Sequence, residues 1–186
     1  GDWSSDVCSS DLVQVAEQIV VDDPSKEGDH IGPVASCVQF DKVQSLIKLG
    51  IDEGAELVTG GLGRPDGLER GYFCKPTIFA QVDNQMQIAR QEIFGPVLVI
   101  IPFDTEQQAI EIANDTDYGL AAYISTDSID RAQRVTEKLR AGSVRINGAG
   151  QGYDIPFGGY KQSGNGREWG EYGFEDFLEI KAVSGL

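Results

Sequence analysis

Gly95-Pro96, followed by five unbroken apolar residues at 97–101, restricts what this chain can become more than any other stretch. Proline fixes φ and lacks an amide donor, while glycine reaches backbone angles closed to other residues, so the pair ends one element and aims the next. An apolar run of that length reads as a strand covered on both faces, the pattern of a parallel sheet between helices. Glu92 and Phe94 stand just before the break. A carboxylate and an aromatic ring are therefore expected at the edge of a buried sheet, where α/β proteins place ligands. The plainer alternative is a loop glutamate and a core phenylalanine.

The flanking segments fit such a sheet. Ser36, with Gln39 three residues on, signals a capped helix start, and Val43, Leu46, Ile47 and Gly50 fall on one inward face with Lys42, Gln44 and Lys48 turned away. Residues 55–59 and 72–79 read as strands, 83–91 as a short helix or turn, and Asp104 with Gln107 as the start of a helix reaching Asn114. Residues 118–125 form the next strand. A helix from Ser128 follows, with Ile129, Ala132, Val135 and Leu139 on one stripe, and 143–147 is a further strand. Strand, helix and strand at that spacing define a right-handed βαβ unit, so the sheet is at least partly parallel. The fold class expected is α/β, a partly parallel sheet with flanking helices and a C-terminal strand.

Composition shifts mark four segments. Residues 1–11 show no helical or strand period and read as a foreign or disordered leader, whereas 12–147 form an α/β domain opening on a helix over 12–20. Glycines crowd residues 148–173, which implies a loop passing close to something, and Phe157 sits at its tightest bend. That loop fails the phosphate-cradle pattern, because Asn165 stands where lysine is required. Residues 174–186 are a terminal strand and tail, with Phe177, Leu178, Ile180 and Val183 apolar on both faces and in need of an edge, in this chain's own sheet or a partner's.

A net charge of −15 argues against a nucleic-acid surface or an anionic membrane face, and no apolar run is long enough to span a bilayer. Cys8, Cys37 and Cys74 have neither disulfide-framework nor metal-knuckle spacing, so reduced thiols in a cytoplasmic protein are expected, and no metal. Cys37 and Cys74 read as packing residues. The lone His30 has no partner at ligand spacing and reads as a loop residue.

Three long motifs in order then carry a resemblance: Gln91-Glu92-Ile93-Phe94-Gly95-Pro96, Asn114-Asp115-Thr116-Asp117-Tyr118-Gly119-Leu120, and Pro156-Phe157-Gly158-Gly159-Tyr160-Lys161-Gln162-Ser163-Gly164-Asn165-Gly166-Arg167-Glu168. Over residues 12–183 the chain resembles the C-terminal portion of the catalytic region of NAD(P)-dependent aldehyde dehydrogenases. The resemblance implies oxidation of an aldehyde to a carboxylic acid with NAD, or NADP, as acceptor. It makes Glu92 the acid that hydrogen-bonds the nicotinamide ribose and Phe94 the ring packed against the nicotinamide. A carboxylate accepting two hydroxyls and an apolar face beside the reacting ring suit those roles. It also places Gln39 and Lys42 where the family touches a cofactor ribose, a plain solvated helix face being the alternative, and Phe157 and Leu120 at the inner end of the aldehyde tunnel.

The same resemblance implies that the nucleophilic cysteine and the general base precede Gly1, since Cys8 matches neither the family motif nor its spacing. The chain is accordingly expected to be a C-terminal fragment with no catalytic residue of its own and no activity alone, part of a homo-oligomer when full length. A non-catalytic association module, pairing with full-length subunits through the terminal strand, is the alternative.

Overall fold

The computed structural model describes residues 5–185, with side chains described from residue 10 onward. The chain divides into two compact units, Gly1–Phe103 and Asp104–Leu186.

The first unit contains α1 (Ser5–Gln18), α2 (Cys37–Asp52), β1 (Glu56–Thr59), β2 (Thr77–Ala80), α3 (Gln87–Arg90) and β3 (Val97–Val99). Its three strands lie in the order β1-β2-β3. β1 runs antiparallel to β2, pairing Leu57 with Phe79, and β3 runs parallel to it, pairing Phe79 with Val99. The middle strand is buried along its whole length. Phe79 sits at the centre of a core that Phe40, Val43 and Ile47 of α2 share with Ala55, Cys74, Val82 and Ile88. The inward face of α2 is therefore the one its 3.6-residue period marks out.

Local chemistry sets the helix starts. Ser36 caps α2, its hydroxyl accepting from the Gln39 amide at 3.2 Å. Met86 offers α3 no side-chain cap, and Glu53 at the end of α2 substitutes, accepting from the Gln87 amide at 3.0 Å and the Ile88 amide at 3.5 Å. A carboxylate there also suits the positive end of the helix dipole.

The second unit contains α4 (Glu106–Asn114), β4 (Ala121–Ile124), α5 (Ile129–Thr136), β5 (Ser143–Ile146), a 3-10 turn (Lys161–Ser163) and α6 (Gly170–Glu175). β4 and β5 pair in parallel from Ala121–Ser143 to Ile124–Ile146, with α5 between them in sequence. Thr105 caps α4 through the Gln108 amide at 3.1 Å, and Ser128 caps α5 through the Arg131 amide at 3.3 Å. Asn114, closing α4, accepts from the Arg140 amide at 2.8 Å and donates to the Lys138 carbonyl at 2.9 Å, which fastens the end of α4 to the chain beyond α5.

Glu106 binds Arg134 through both oxygens, at 2.9 and 2.8 Å, so α4 and α5 are also joined by a bidentate pair. Its hydrogen bonds with Arg134 hold the Glu106 carboxyl below the usual carboxylate range. A depressed folded-state pKa contributes stability above the unfolded-state pKa, and that contribution disappears as pH falls through the folded-state value. Glu106→Gln is expected to be less stable than the parent at neutral pH and to approach it on acidification. Urea midpoints taken across that acidic range check this, and a difference independent of pH would contradict it.

Four expectations are corrected. The run at 97–101 is not a strand covered on both faces: the strand is Val97–Val99, with Ile100 still bonded to Phe79 and Val82, it lies at an edge of this sheet, and Leu98 is 46% exposed. The helix after it starts from Thr105 rather than Asp104, because the threonine hydroxyl reaches the Gln108 amide. Ile129 is 75% exposed, one turn too early on α5 to share the burial of Ala132. Residues 174–183 form no strand, since α6 runs to Glu175 and the described residues after it have no paired neighbour. An isolated extended segment has nowhere to put its ladder hydrogen bonds.

At the other end, residues 1–4 of the expected leader lie outside the described residues, and α1 begins at Ser5. Serine and aspartate are weak interior helix formers and conceal the helix in composition, but elongation from a formed turn adds one hydrogen bond per residue.

Candidate functional site

In the first unit the site is assembled on the exposed side of α2 and the turn entering β3. Gln39 Nε2 donates to the carbonyls of Ile93 at 2.8 Å and Phe94 at 3.1 Å. Lys42 Nζ donates to the Glu92 carbonyl at 2.6 Å. Three consecutive carbonyls are thus tied to one helix. The Val97 amide bonds back to the Gly95 carbonyl at 2.8 Å, and the Thr77 amide takes the Pro96 carbonyl at 2.9 Å, which anchors the turn on β2. Gly95 lies so close to α2 that a β-carbon there would stand 2.6 Å from Val43 Cγ2.

Phe94 has φ +58°, a left-handed conformation that non-glycine residues rarely adopt. Such backbone persists where surrounding contacts over-determine it, and it concentrates at functional sites. The Phe94 ring is 71% exposed, and the Glu92 carboxylate has no hydrogen bond or ion pair among the described residues. Both residues line a cleft of about 430 Å³ with Ile93, Gly95, Val97 and Leu98.

In the second unit the glycine-rich segment folds back on itself through a bridge between Phe157 and Glu168, each amide donating to the other's carbonyl at 2.7 Å. The turn between them is docked on residues 114–119. Lys161 Nζ donates to the carbonyls of Asn114 and Thr116 at 2.8 and 2.9 Å, Ser163 Oγ accepts from the Gly119 amide at 3.1 Å, and the Tyr160 amide donates to the Gly119 carbonyl at 2.8 Å. Arg167 Nη1 gathers the carbonyls of Gly159, Asn165 and Gly166. Leu120 and Phe157 are brought together in a cleft of about 290 Å³, with Ser163, Arg167 and Glu168 also at its edge. Two apolar side chains and glycine backbone line it together with the charged Arg167, Glu168 and Asp176.

Sequence reasoning missed Trp169. Its ring lies 5.0 Å from Phe157, tilted, and 4.8 Å from Tyr153, edge-on, so it clusters with an aromatic residue of the cleft, on a left-handed backbone of φ +64°. The available signal was a tryptophan among glycines, which only the fold converts into a packing partner. The Lys161 and Ser163 contacts were likewise hidden, because their partners lie more than forty residues away.

The two cysteines with described side chains, Cys37 and Cys74, sit in settings that disfavour a thiolate. The backbone of Cys8 is in α1 and its side chain lies outside the described residues. Cys37, expected to be packed, is exposed, and its Sγ donates to Asp41 at 3.4 Å; that hydrogen bond raises the thiol pKa. Cys74 is buried, and burial raises its thiol pKa as well. A nucleophilic cysteine requires the thiolate, which both settings disfavour. The described residues contain no cluster of three or more side chains suited to a metal, and no described helix is long and apolar enough to cross a membrane.

A parallel βαβ pair, a glycine-rich loop docked on residues 114–119, and a strained turn presenting an acid and a ring define an α/β catalytic-domain segment. Comparison with known proteins makes this specific. The sequence profile of the aldehyde dehydrogenase family matches residues 4–183. A 3-succinoylsemialdehyde-pyridine dehydrogenase from a Pseudomonas species is 60% identical over 169 residues, covering 91% of this chain and 35% of that protein. A putative aldehyde dehydrogenase of Staphylococcus aureus strain USA300 is 52% identical over 180 residues, covering 97% and 38%. Among solved structures, an aldehyde dehydrogenase C variant from Pseudomonas syringae in complex with NAD+ and octanal superposes with a TM-score of 0.93 at 48% identity, covering 96% of this chain and 37% of that one. A Mycobacterium tuberculosis aldehyde dehydrogenase complexed with NAD+ gives 0.89 at 46% identity, covering 93% and 36%. The chain belongs to the aldehyde dehydrogenase family. It spans little more than a third of the length of these relatives.

Proposed function

We propose that this chain supplies the nicotinamide-riboside side and part of the aldehyde-facing wall of an NAD(P)-dependent aldehyde dehydrogenase. The observation that carries the reading is the pairing, on one cleft, of an uncommitted Glu92 carboxylate with an exposed Phe94 ring on a constrained backbone. The two fit the group. A free carboxylate can accept both hydroxyls of a ribose, and an exposed ring can lie against the flat face of a nicotinamide. NAD, or NADP, supplies the hydride acceptor when bound; Glu92 orients its ribose and Phe94 limits where its ring can move. Leu120 and Phe157 offer an apolar surface to the carbon chain of an aldehyde.

Neither Cys37 nor Cys74 serves as the attacking thiol, so the chain by itself is expected to show no turnover. Octanal and NAD+ added to the isolated chain should yield no NADH. Turnover that Cys8→Ala abolishes would overturn this assignment. With both described thiols free, a reducing cytoplasmic setting suits the chain.

The binding reading is tested with nicotinamide mononucleotide, followed by saturation-transfer NMR. Binding to the parent is expected, weakened about tenfold or more by Glu92→Gln, the size of a lost hydrogen bond to a charged group. Phe94→Ala should weaken it as well. Equal binding by parent and both variants would remove the cleft from consideration.

A second reading, an association module of a homo-oligomer, is favoured by one observation: Phe177 and Ile180 are 83% and 97% exposed in a tail with no paired strand. A strictly monomeric, well-folded chain in size-exclusion chromatography would refute it.

A further inference from the structure

We propose that Asn165 is a site of spontaneous modification: the Asn165-Gly166 pair, at the rim of the cleft shared by Leu120 and Phe157, deamidates to aspartate and isoaspartate, and the product loosens that rim. The inference is independent of what the cleft binds.

Two asparagines of the chain are followed by glycine, Asn147 and Asn165. Asparagine is among the thermally labile residues, and a following glycine has no β-carbon to shield its amide nitrogen. Solvent access does not separate the two pairs, since both asparagines and both glycines are exposed. Side-chain bonding does. Asn147 Oδ1 accepts from the Thr126 amide at 2.9 Å and its Nδ2 donates to the Thr126 carbonyl at 2.8 Å, so both ends of its carboxamide are fastened to one residue. The Asn165 carboxamide has no hydrogen bond among the described residues, and neither has the Gly166 amide.

In the reaction the Gly166 nitrogen attacks Asn165 Cγ. The new N–C bond closes a cyclic imide, the Cγ–Nδ2 bond breaks, and ammonia leaves with the proton lost from the Gly166 amide. Water then opens the ring at either carbonyl, giving aspartate or isoaspartate. Attack requires the two reacting atoms to be close and aligned, which Asn165 is free to achieve and Asn147, held on Thr126, is not.

The consequence falls on Arg167. Its Nη1 collects the carbonyls of Gly159, Asn165 and Gly166 at 2.9, 3.2 and 2.8 Å. Isoaspartate lengthens the main chain by one atom and turns the Asn165 carbonyl into a carboxylate, so the guanidinium can no longer hold the three together. Either product also adds a negative charge next to Gly164 and Gly166, which line the cleft with Glu168 and Asp176, and like charges there repel.

The experiment ages the full chain in mildly alkaline buffer and digests it with trypsin. Cuts after Arg145, Lys161 and Arg167 leave Asn147 in peptide 146–161 and Asn165 in peptide 162–167. Peptide 162–167 should gain about one dalton and become a substrate for isoaspartyl methyltransferase roughly tenfold or more faster than peptide 146–161. In urea the two rates should converge, because unfolding releases Asn147 from Thr126. In Gly166→Ala the new β-carbon meets only Asp176 Oδ2, at 3.5 Å, so the fold is kept while modification at Asn165 should slow about tenfold. Amide exchange at Phe157 and Glu168 should be faster in the aged chain, with the Asn147 amide, which donates to the Ile124 carbonyl, little changed. Rates in the folded chain that are equal, or faster at Asn147, would overturn the proposal. So would a rate difference that persists in urea, which marks local sequence as its cause, or an aged chain whose Phe157 and Glu168 exchange is unchanged.

Discussion

Phe79→Ala should cost about 3–5 kcal/mol, the range for emptying a buried aromatic site in a core that only partly collapses. The residue is fully buried in the middle strand, paired with Leu57 on one side and Val99 on the other, and its ring belongs to the cluster that joins α2 to the sheet. No neighbour can close the gap without giving up its own contacts, because Val43, Ile47 and Ile88 are also almost fully buried. Domains of this size retain roughly 5–15 kcal/mol of net stability, so this one change removes a large share. Urea unfolding followed by circular dichroism checks it. A loss below about 1 kcal/mol, typical of a surface position, would mean that β2 is not the centre of the first unit.

Gly142→Ala should be the most disruptive single methyl in the second unit. A β-carbon at Gly142 would lie 1.6 Å from the Gly158 carbonyl oxygen and 2.6 Å from its carbon. Both atoms are backbone, so no rotamer change relieves the contact. The segment that carries Phe157 has to move away, against the hydrogen bonds that dock it on residues 114–119. The expected cost is at or above the upper end of the roughly 1–3 kcal/mol that overpacking brings. Faster amide exchange at Phe157 and Glu168 should accompany it, because their mutual bridge forms the wall of the Leu120 cleft. Gly150→Ala, where nothing lies within 4 Å and the backbone is unstrained, is the control and should be nearly neutral. A Gly142→Ala chain matching that control in stability and exchange would refute the close approach.

Both sites show how far local information reaches. The inward face of α2 could be read from the spacing of Val43, Leu46, Ile47 and Gly50, since a regular helix converts spacing into direction with no outside help. The caps at Ser36 and Ser128 were legible for the same reason: the hydroxyl and the amide it accepts from are three residues apart. The parallel pairing of β4 and β5 followed from their separation, which leaves room for a crossover helix and none for a hairpin. Family membership, too, was carried by motifs contiguous in the chain.

What the sequence left undetermined depends on partners distant along the chain. Gln39 looked like the second half of a capping box, yet its amide group goes to Ile93 and Phe94, more than fifty residues away. The apolar run after Pro96 contained enough hydrophobic residues for a doubly covered strand, but burial of Leu98 requires a neighbour that this sheet does not provide. Residues 174–183 had the apolar content of a strand and found nothing to pair with, because hydrogen-bond ladders are made between segments, whereas helix bonds are made within one. The sequence by itself determined α2 with its cap and inward face, the parallel crossover and the family. The strained turn at Phe94, the aromatic cluster on Trp169 and the meeting of Leu120 with Phe157 were decided by tertiary structure, since each needs groups that only folding brings within a few ångströms of one another.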